Sequence, residues 1–194
     1  MGGIKKPEGE RRKDIMDAAA KVALDGGIES VTSRSVAAEA GLSIGLVYFY
    51  YESKEGLLHA LLTHLLETIL GGPPPGFGED LSPRAALISM VAQQIHALPA
   101  RRGEVDLIFQ FYFLRHHDEY RAPINAALDR YAATLEPVTE RLVEGTGMSG
   151  PALRSTLASL IYGAAVNVAR QPEEFSPELL LQVVSTLVPE HRGH

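Results

Sequence analysis

Cysteine is absent from the sequence, which rules out disulfide frameworks, thiolate zinc sites and cysteine nucleophiles at once. Long apolar runs are missing too. The longest are interrupted by His, Thr, Gln or Arg well short of the roughly eighteen residues that a membrane helix needs. The opening stretch MGGIKKPEGERRK is polar and lacks the apolar centre of a signal peptide. It does not fit a myristoylation motif either, because Lys6 stands where Ser or Thr is required. A cytoplasmic protein without membrane contact is therefore expected. No segment sustains a two-residue alternation of apolar and polar side chains, so strands are not expected. The GxSxG, P-loop and Rossmann fingerprints are also lacking. What remains for enzyme chemistry is a set of seven histidines. In the densest group, His116-His117-Asp118-Glu119, adjacent residues diverge by about 100° around a helix, which turns the two imidazoles away from a common ion. His59 and His64 align no better. No metal, cofactor or catalytic residue is expected, and the chain reads as a binding protein rather than an enzyme.

What is present is an ordinary globular composition, 45% hydrophobic and 22% charged over 194 residues, enough to bury a core unaided. The net charge of −6 argues against nucleic acid as a sum, but its distribution matters more. Lys5, Lys6, Arg11, Arg12 and Lys13 outnumber Glu8 and Glu10 at the start. Residues 1–56 hold eight basic and nine acidic groups, and the rest of the chain ten and fifteen. Any contact with DNA must come from the front. The basic cluster itself reads either as a phosphate contact or as a solvated charge run.

Residues 1–10 read as a flexible tail. Ile15, Ala18, Ala19, Val22 and Ala23 recur at helical spacing, and Gly26-Gly27 stop that first helix. A second helix is expected from a cap at Thr32 or Ser33 to Ala40, and a short third from Ser43 to Tyr50 or Tyr51. Ser53 can cap a fourth that runs to Leu70. The segment GGPPPGFGEDLS at 71–82 punctuates the chain, since no helix crosses three prolines and four glycines. Ser82-Pro83 opens the next helix. Others are expected over Glu104–His117, Pro123 to Glu144 despite Pro137, Pro151 to Arg170, and from Ser176-Pro177 to Leu187. The expectation is an all-α protein of about nine helices, without internal repeats.

Residues 32–51, TSRSVAAEAGLSIGLVYFYY, have the form of a helix-turn-helix. Ala37, Ala38 and Ala40 are small enough for a second helix to cross closely. Gly41 suits the tight connection, Leu42 can fill the gap, and Ser43 can cap a helix whose first residues enter the major groove. Thr32-Ser33-Arg34, Ala37-Ala38-Glu39-Ala40-Gly41-Leu42-Ser43, Tyr48-Phe49-Tyr50-Tyr51 and Ser53-Lys54-Glu55-Gly56-Leu57 together resemble the TetR repressors. So does Ile15-Met16-Asp17-Ala18-Ala19 followed by Gly26-Gly27. The resemblance covers about residues 11–62, and beyond that only the helix layout agrees. It implies a helix-turn-helix DNA-binding domain over residues 11–52 and a ligand-binding and dimerisation domain over 53–194.

The same resemblance implies DNA contacts position by position. Ser33 and Arg34 would meet phosphate or a base edge, and Ser43, Ile44, Gly45 and Leu46 would open the recognition helix. Tyr48 and Phe49 would face the groove, Tyr50 would lie near the backbone, and Lys54 would hold a phosphate. Val47 and Tyr51 match positions that point into the domain's own core. Many relatives carry Lys, Thr and His where this chain has Ile44, Leu46 and Phe49, and often Lys in place of Glu52. Direct hydrogen-bond reading should therefore be sparse, with thymine methyls read by apolar side chains and Arg34 as the main polar reader. Against this stands a plain core role for the apolar residues, and with it a helical adaptor that binds no DNA.

In the rest of the chain, Ala158, Gly163, Ala164, Ala165 and Ala169 give one helix small surfaces. The last helix, PELLLQVVSTLV, is more apolar than one buried face needs. A four-helix dimer bundle through Ala158, Gly163, Ala165, Leu180 and Val184 is expected, as the resemblance also implies; the competing reading is an intramolecular bundle. Phe109, Tyr112, Phe113 and His116, with Tyr131, Tyr162 and Asn167 from later helices, read either as ordinary core or as the pocket that the resemblance implies for a small apolar or aromatic effector. The expected whole is a repressor that binds an inverted-repeat operator in double-stranded DNA as a homodimer and that such an effector releases.

Overall fold

The first helix starts at a proline. Pro7 sets its own φ at −53° and precedes α1 (Glu8–Gly26), whose first turn carries Glu8 and Glu10, the charge sign a helix N-terminus favours. The helix therefore begins ahead of Arg11, and residues 8–10 belong to it rather than to a tail. Ile15, Met16, Ala18, Ala19 and Ala23 form its buried stripe. It ends where Gly27 turns to φ 75° and its N–H donates to the Ala23 carbonyl oxygen. A 3-10 turn (Ile28–Ser30) follows, tied back by the Ser30 hydroxyl, which donates to the Val22 carbonyl at 2.9 Å. The computed structural model describes residues 7–71, 81–114, 118–144 and 146–188. Among these the chain is helical throughout, with ten α-helices, two short 3-10 turns and no strand.

α2 (Ser33–Ala40) opens on a reciprocal cap. The Ser35 N–H donates to the Thr32 hydroxyl oxygen and the Thr32 N–H to that of Ser35, each at 3.0 Å. Such pairing satisfies two donors that a bare helix end leaves open. The helix closes at Gly41, whose left-handed φ of 65° lets its N–H reach the carbonyls of Ala37 and Ala38. α3 (Ile44–Tyr51) follows after two residues, capped by Ser43. α4 (Lys54–Leu70) buries Leu57, Leu58, Leu61, Leu62, Leu65 and Leu66. The Ser53 hydroxyl accepts from the Gly56 N–H at 2.9 Å, so Ser53 caps it.

Two compact units divide the chain. The first takes Met1–Ile69 with Asp106–Ile124, and the second takes Leu70–Val105 with Asn125–His194. The first is thus larger than a helix-turn-helix over 11–52. It includes α4, the end of α6 (Arg102–Phe113) and the start of α7 (Asp118–Ala133). Within it Phe111 and Tyr120 are fully buried, with ring centroids 5.2 Å apart, and the His59 imidazole lies 4.7 Å from the Tyr120 ring.

The second unit is built on α5 (Pro83–Ala97), α8 (Glu136–Val143), α9 (Gly150–Arg170) and α10 (Pro177–Leu187). Leu87, Val91, Ile95, Leu135, Leu142, Leu157 and Val184 lie in one core. Ser82, Ser149 and Ser176 each cap a helix that carries proline in its first turn. Arg84 joins the unit's ends: its guanidinium donates to the carbonyls of Ser185 (2.6 Å) and Val188 (3.3 Å), where the last carbonyls of α10 lack helical partners. The continuous helix expected from Pro123 to Glu144 is corrected on two counts. It starts at Asp118, with Pro123 inside it, and it stops at Ala133 before α8 begins at Glu136. Pro137 has no N–H and its ring would strike the carbonyl four residues back, so it is admitted only in the first turn of a new helix.

Two glycines of the first unit separate backbone need from mere tolerance. A Cβ on Gly56 would overlap the Tyr51 carbonyl oxygen, whereas one on Gly45 would meet nothing within 4 Å. Gly45→Ala is therefore expected to leave stability unchanged or raise it by up to about 1 kcal/mol. Gly56→Ala should cost about 1–3 kcal/mol. Urea unfolding of both variants without DNA checks the contrast, and equal midpoints would contradict it.

Candidate nucleic-acid interface

α3 has eight residues, and only one of its side chains is wholly inside. Val47 is fully buried, in the unit that also packs α1 against α2 and α2 against α3. Tyr51 is half-buried, and its hydroxyl donates to the Arg12 carbonyl at 3.4 Å. Burial pushes the Tyr51 phenol up from its ordinary pKa, against a smaller downward pull from Arg12. Tyr50 is half-buried beneath the Arg12 guanidinium, which sits 5.0 Å from its ring centroid. Leu46 is also half-buried. The other side chains of the helix face out: Ile44 is 47% exposed, Tyr48 59% and Phe49 75%.

Around this helix the polar and charged groups are few. Ser43 is exposed, and its hydroxyl accepts from the Leu46 N–H at 3.3 Å. Arg34 is exposed in the first turn of α2, beside half-buried Ser33, and Lys54 is exposed at the start of α4. Lys21 and Glu39 form an ion pair that joins α1 to α2, and Glu39 holds the Lys21 ammonium above its usual pKa. Arg12 pairs with Glu8 (3.1 Å) and Lys13 with Asp17 (3.5 Å), all exposed. Exposed pairs of this kind contribute little, so Lys13 can be redirected to phosphate at small cost, whereas Arg12 is also held over Tyr50. Lys5 and Lys6 lie outside the described residues.

Two features of this region escape sequence reasoning. Glu52 ends α3 at φ 58°, the sole non-glycine residue with positive φ among those described. No sequence signal marks it, since Gly or Asn is the usual choice there. The second is Gln110 of α6, whose side-chain oxygen accepts from the Ile28 N–H (3.2 Å) while its amide donates to Asp106 (2.9 Å). A partner 82 positions away cannot be read from local pattern.

The residues expected to line one pocket fall into both units. Phe109 and Tyr112 are half-buried and Phe113 is 70% exposed, all in the first. Phe109 and Phe113 stack with centroids 6.5 Å apart. Phe113 also borders an open cavity of about 600 Å³ beside Gly27, Ile28 and Gln110. In the second unit Tyr131 is buried in the core, and half-buried Tyr162 donates from its hydroxyl to the Leu128 carbonyl at 2.8 Å. Exposed Asn167 borders a cavity of about 290 Å³ with Phe175 and Leu179. His116 lies outside the described residues. Of the residues expected at a dimer interface, Ala158 and Val184 are buried, Val184 within the core of its own unit. Gly163 is exposed, and Ala165 and Leu180 are half-buried. The apolar residues that do face out on these helices are Val166, Leu179, Val183 and Leu187.

A capped pair of short helices crossing at a left-handed glycine, the second presenting an outward face, is a helix-turn-helix head. Comparison with known proteins agrees. Residues 15–61 match the sequence profile of the bacterial regulatory proteins, tetR family. The chain is 28% identical over 177 residues to the HTH-type transcriptional repressor KstR of Rhodococcus jostii (strain RHA1), covering 89% of this chain and 83% of that protein. It shares its fold with a TetR transcription regulator from Haloarcula marismortui ATCC 43049 (TM-score 0.80, 19% identity, 93% and 97% of the two chains). FadR of Bacillus subtilis, solved in complex with stearoyl-CoA, has the same fold (TM-score 0.71, 19% identity, 91% and 97% covered). Residues 15–61 thus carry a head of the tetR type, and the chain has the fold of TetR transcription regulators. No described helix is long and apolar enough to cross a membrane.

Glu52 yields a stability test of the head. A non-glycine residue in such a backbone region costs about 1–3 kcal/mol, part of which glycine's greater freedom in the unfolded chain offsets. Glu52→Gly is expected to raise stability by about 0.5–1 kcal/mol, measured as a shift in denaturation midpoint. A lower midpoint would show that the Glu52 side chain stabilises the turn by more than its backbone costs.

Proposed function

We propose that the protein is a ligand-responsive repressor that binds an inverted-repeat operator as a homodimer and works in the cytoplasm. The observation that carries this reading is the sidedness of α3, with Val47 buried and Ile44, Tyr48 and Phe49 exposed. A short helix with one fully buried side chain and large side chains turned to water suits insertion into the major groove. Ser43, Ile44, Gly45 and Leu46 enter first. Tyr48 and Lys54 hold phosphates, with Tyr50 near the backbone and Ser33 at the edge of the contact. Arg34 reads a base, since a guanidinium can donate twice to guanine.

One head has too small a contact for specificity, so a second copy supplies the other half-site. The α10 stripe of Leu179, Val183 and Leu187, four residues apart and 65%, 50% and 46% exposed, fits that partner. Exposed Gly163 and Val166 on α9 extend it. These replace Ala158 and Val184 in the interface. The effector is a small apolar or aromatic molecule, a class supported by the half-buried aromatic side chains of α6 and α9. FadR, which has the same fold, was solved with stearoyl-CoA, a molecule with one long apolar chain and a charged headgroup, and the effector proposed for this protein shares only the apolar character of that chain. Its binding releases DNA by favouring a state whose heads no longer match successive major grooves, ~34 Å apart.

Gel shift with the DNA flanking the protein's own gene tests the reading. A folded dimer that binds no inverted repeat would instead be a helical adaptor. Arg34→Ala should cost ~1–3 kcal/mol and relax specificity at one base position, and unchanged affinity for every operator variant would remove that role. Tyr48→Phe should weaken all sequences alike; a sequence-selective loss would make Tyr48 a base reader. Val183→Glu is expected to yield monomers in light scattering and to abolish operator binding with helix content unchanged. A dimeric variant would place the interface elsewhere.

A further inference from the structure

The outward face of α3 lacks the groups that usually tell bases apart. Its exposed side chains are Ile44, Tyr48 and Phe49, and Gly45 between them has none. The Ser43 hydroxyl is engaged with the Leu46 N–H, and Tyr50 is covered by Arg12. Glu52 closes the helix with a carboxylate, which phosphate repels. The helix therefore offers base edges no cation and no amide, and its side-chain donors are hydroxyls alone, those of Ser43, Tyr48 and Tyr50. In the major groove, guanine, adenine and cytosine are distinguished by donors and acceptors, but thymine also carries a C5-methyl group that an apolar surface can read.

Resting on the DNA-binding reading above, we propose that α3 recognises its operator through pyrimidine C5-methyl groups, so that 5-methylcytosine is accepted where thymine stands. The two bases place the same methyl group at the same point of the groove. They differ next to it, by a carbonyl oxygen in one and an amino group in the other. Ile44 and Phe49 can hydrogen-bond to neither, so at the base pairs they face the methyl contact is what separates a correct base from an incorrect one. Removing one methyl exposes apolar surface equivalent to about one buried CH₂, which corresponds to about fourfold in affinity.

The test starts with the full chain, used to select duplexes from a random-sequence pool. A selected duplex is then remade with deoxyuridine, deoxycytidine or 5-methyldeoxycytidine in place of each thymine in turn, with guanine opposite the cytosines. At one or more positions in each half-site, deoxyuridine should weaken binding about fourfold. Deoxycytidine should weaken it at least as much, and 5-methyldeoxycytidine should recover the methyl-dependent part. In Ile44→Ala or Phe49→Ala the deoxyuridine penalty at the matching position should vanish. Both side chains are exposed, and thermal unfolding verifies that each variant folds; the base series on the unaltered protein decides the matter if one does not. Deoxyuridine duplexes that bind as well as thymine at every position would overturn the proposal while leaving DNA binding intact. So would 5-methyldeoxycytidine that binds no better than deoxycytidine, or a penalty that persists in both variants. A pool that yields no bound duplex overturns the reading of the head itself.

Discussion

The reading surface depends on how one short, almost wholly apolar helix is held. α3 consists of Ile, Gly, Leu, Val and four aromatic residues, a composition that would ordinarily belong inside a protein. Only Val47 is inside completely. Beside half-buried Leu46, the hold includes contacts with polar partners: the Ser43 cap, the Tyr51 hydroxyl on the Arg12 carbonyl, and the Arg12 guanidinium over Tyr50. Arg12 thus engages two aromatic residues of α3 from α1, through its backbone and its side chain. This fixes which side of α3 is free. A rotation of about 100°, one residue's worth, would bury Tyr48 and expose Val47.

Much of this was legible in the sequence because it is local. Caps at Thr32, Ser43, Ser82 and Ser176, and stops at Gly27 and Gly41, are written in residues within four positions of the bond they make. What was illegible is long-range or conformational. Gln110 meets Ile28 and Arg84 meets Ser185 across most of a unit, and nothing in the intervening residues signals either. The last helix failed for another reason. PELLLQVVSTLV is apolar on nearly every side, so periodicity cannot tell Val184, which packs inward, from Val183, which faces out. The long helix predicted through Pro137 erred because a proline inside an apolar period was read as tolerated, whereas it marks the first turn of α8.

The electrostatics point the same way as the apolar surface. Apart from Lys5 and Lys6, the head's cations are few, and Lys21 is committed to Glu39. Arg34 and Lys54 are exposed, and Arg12 and Lys13 are held by weak surface pairs. Since each phosphate neutralised contributes to non-specific affinity and to its salt dependence, a head whose α3 carries no cation is expected to bind random DNA less tightly than one with a basic recognition helix. A net charge of −6 adds long-range repulsion that salt screens beyond about 10 Å. Specificity is a ratio. A low non-specific background lets a modest set of apolar base contacts suffice where a more basic head would need several hydrogen-bonded ones.

The head does not end at α4. Asp106–Ile124 belongs to the same unit, and Gln110 engages the backbone just after α1 rather than a side chain. A bond to backbone is indifferent to which residue stands at position 28, so it constrains position without constraining sequence. The Ile28 amide is partly buried, and leaving such a donor unpaired costs about 1–3 kcal/mol. The end of α6 therefore cannot shift by much more than a hydrogen-bond length relative to the end of α1 without that cost. Gly27 tightens the fit, because a Cβ there would stand 3.2 Å from the Gln110 oxygen. The glycine that stops α1 thus serves twice: its positive φ ends the helix, and its missing side chain admits the α6 amide. A change in α6 is therefore resisted at this bond.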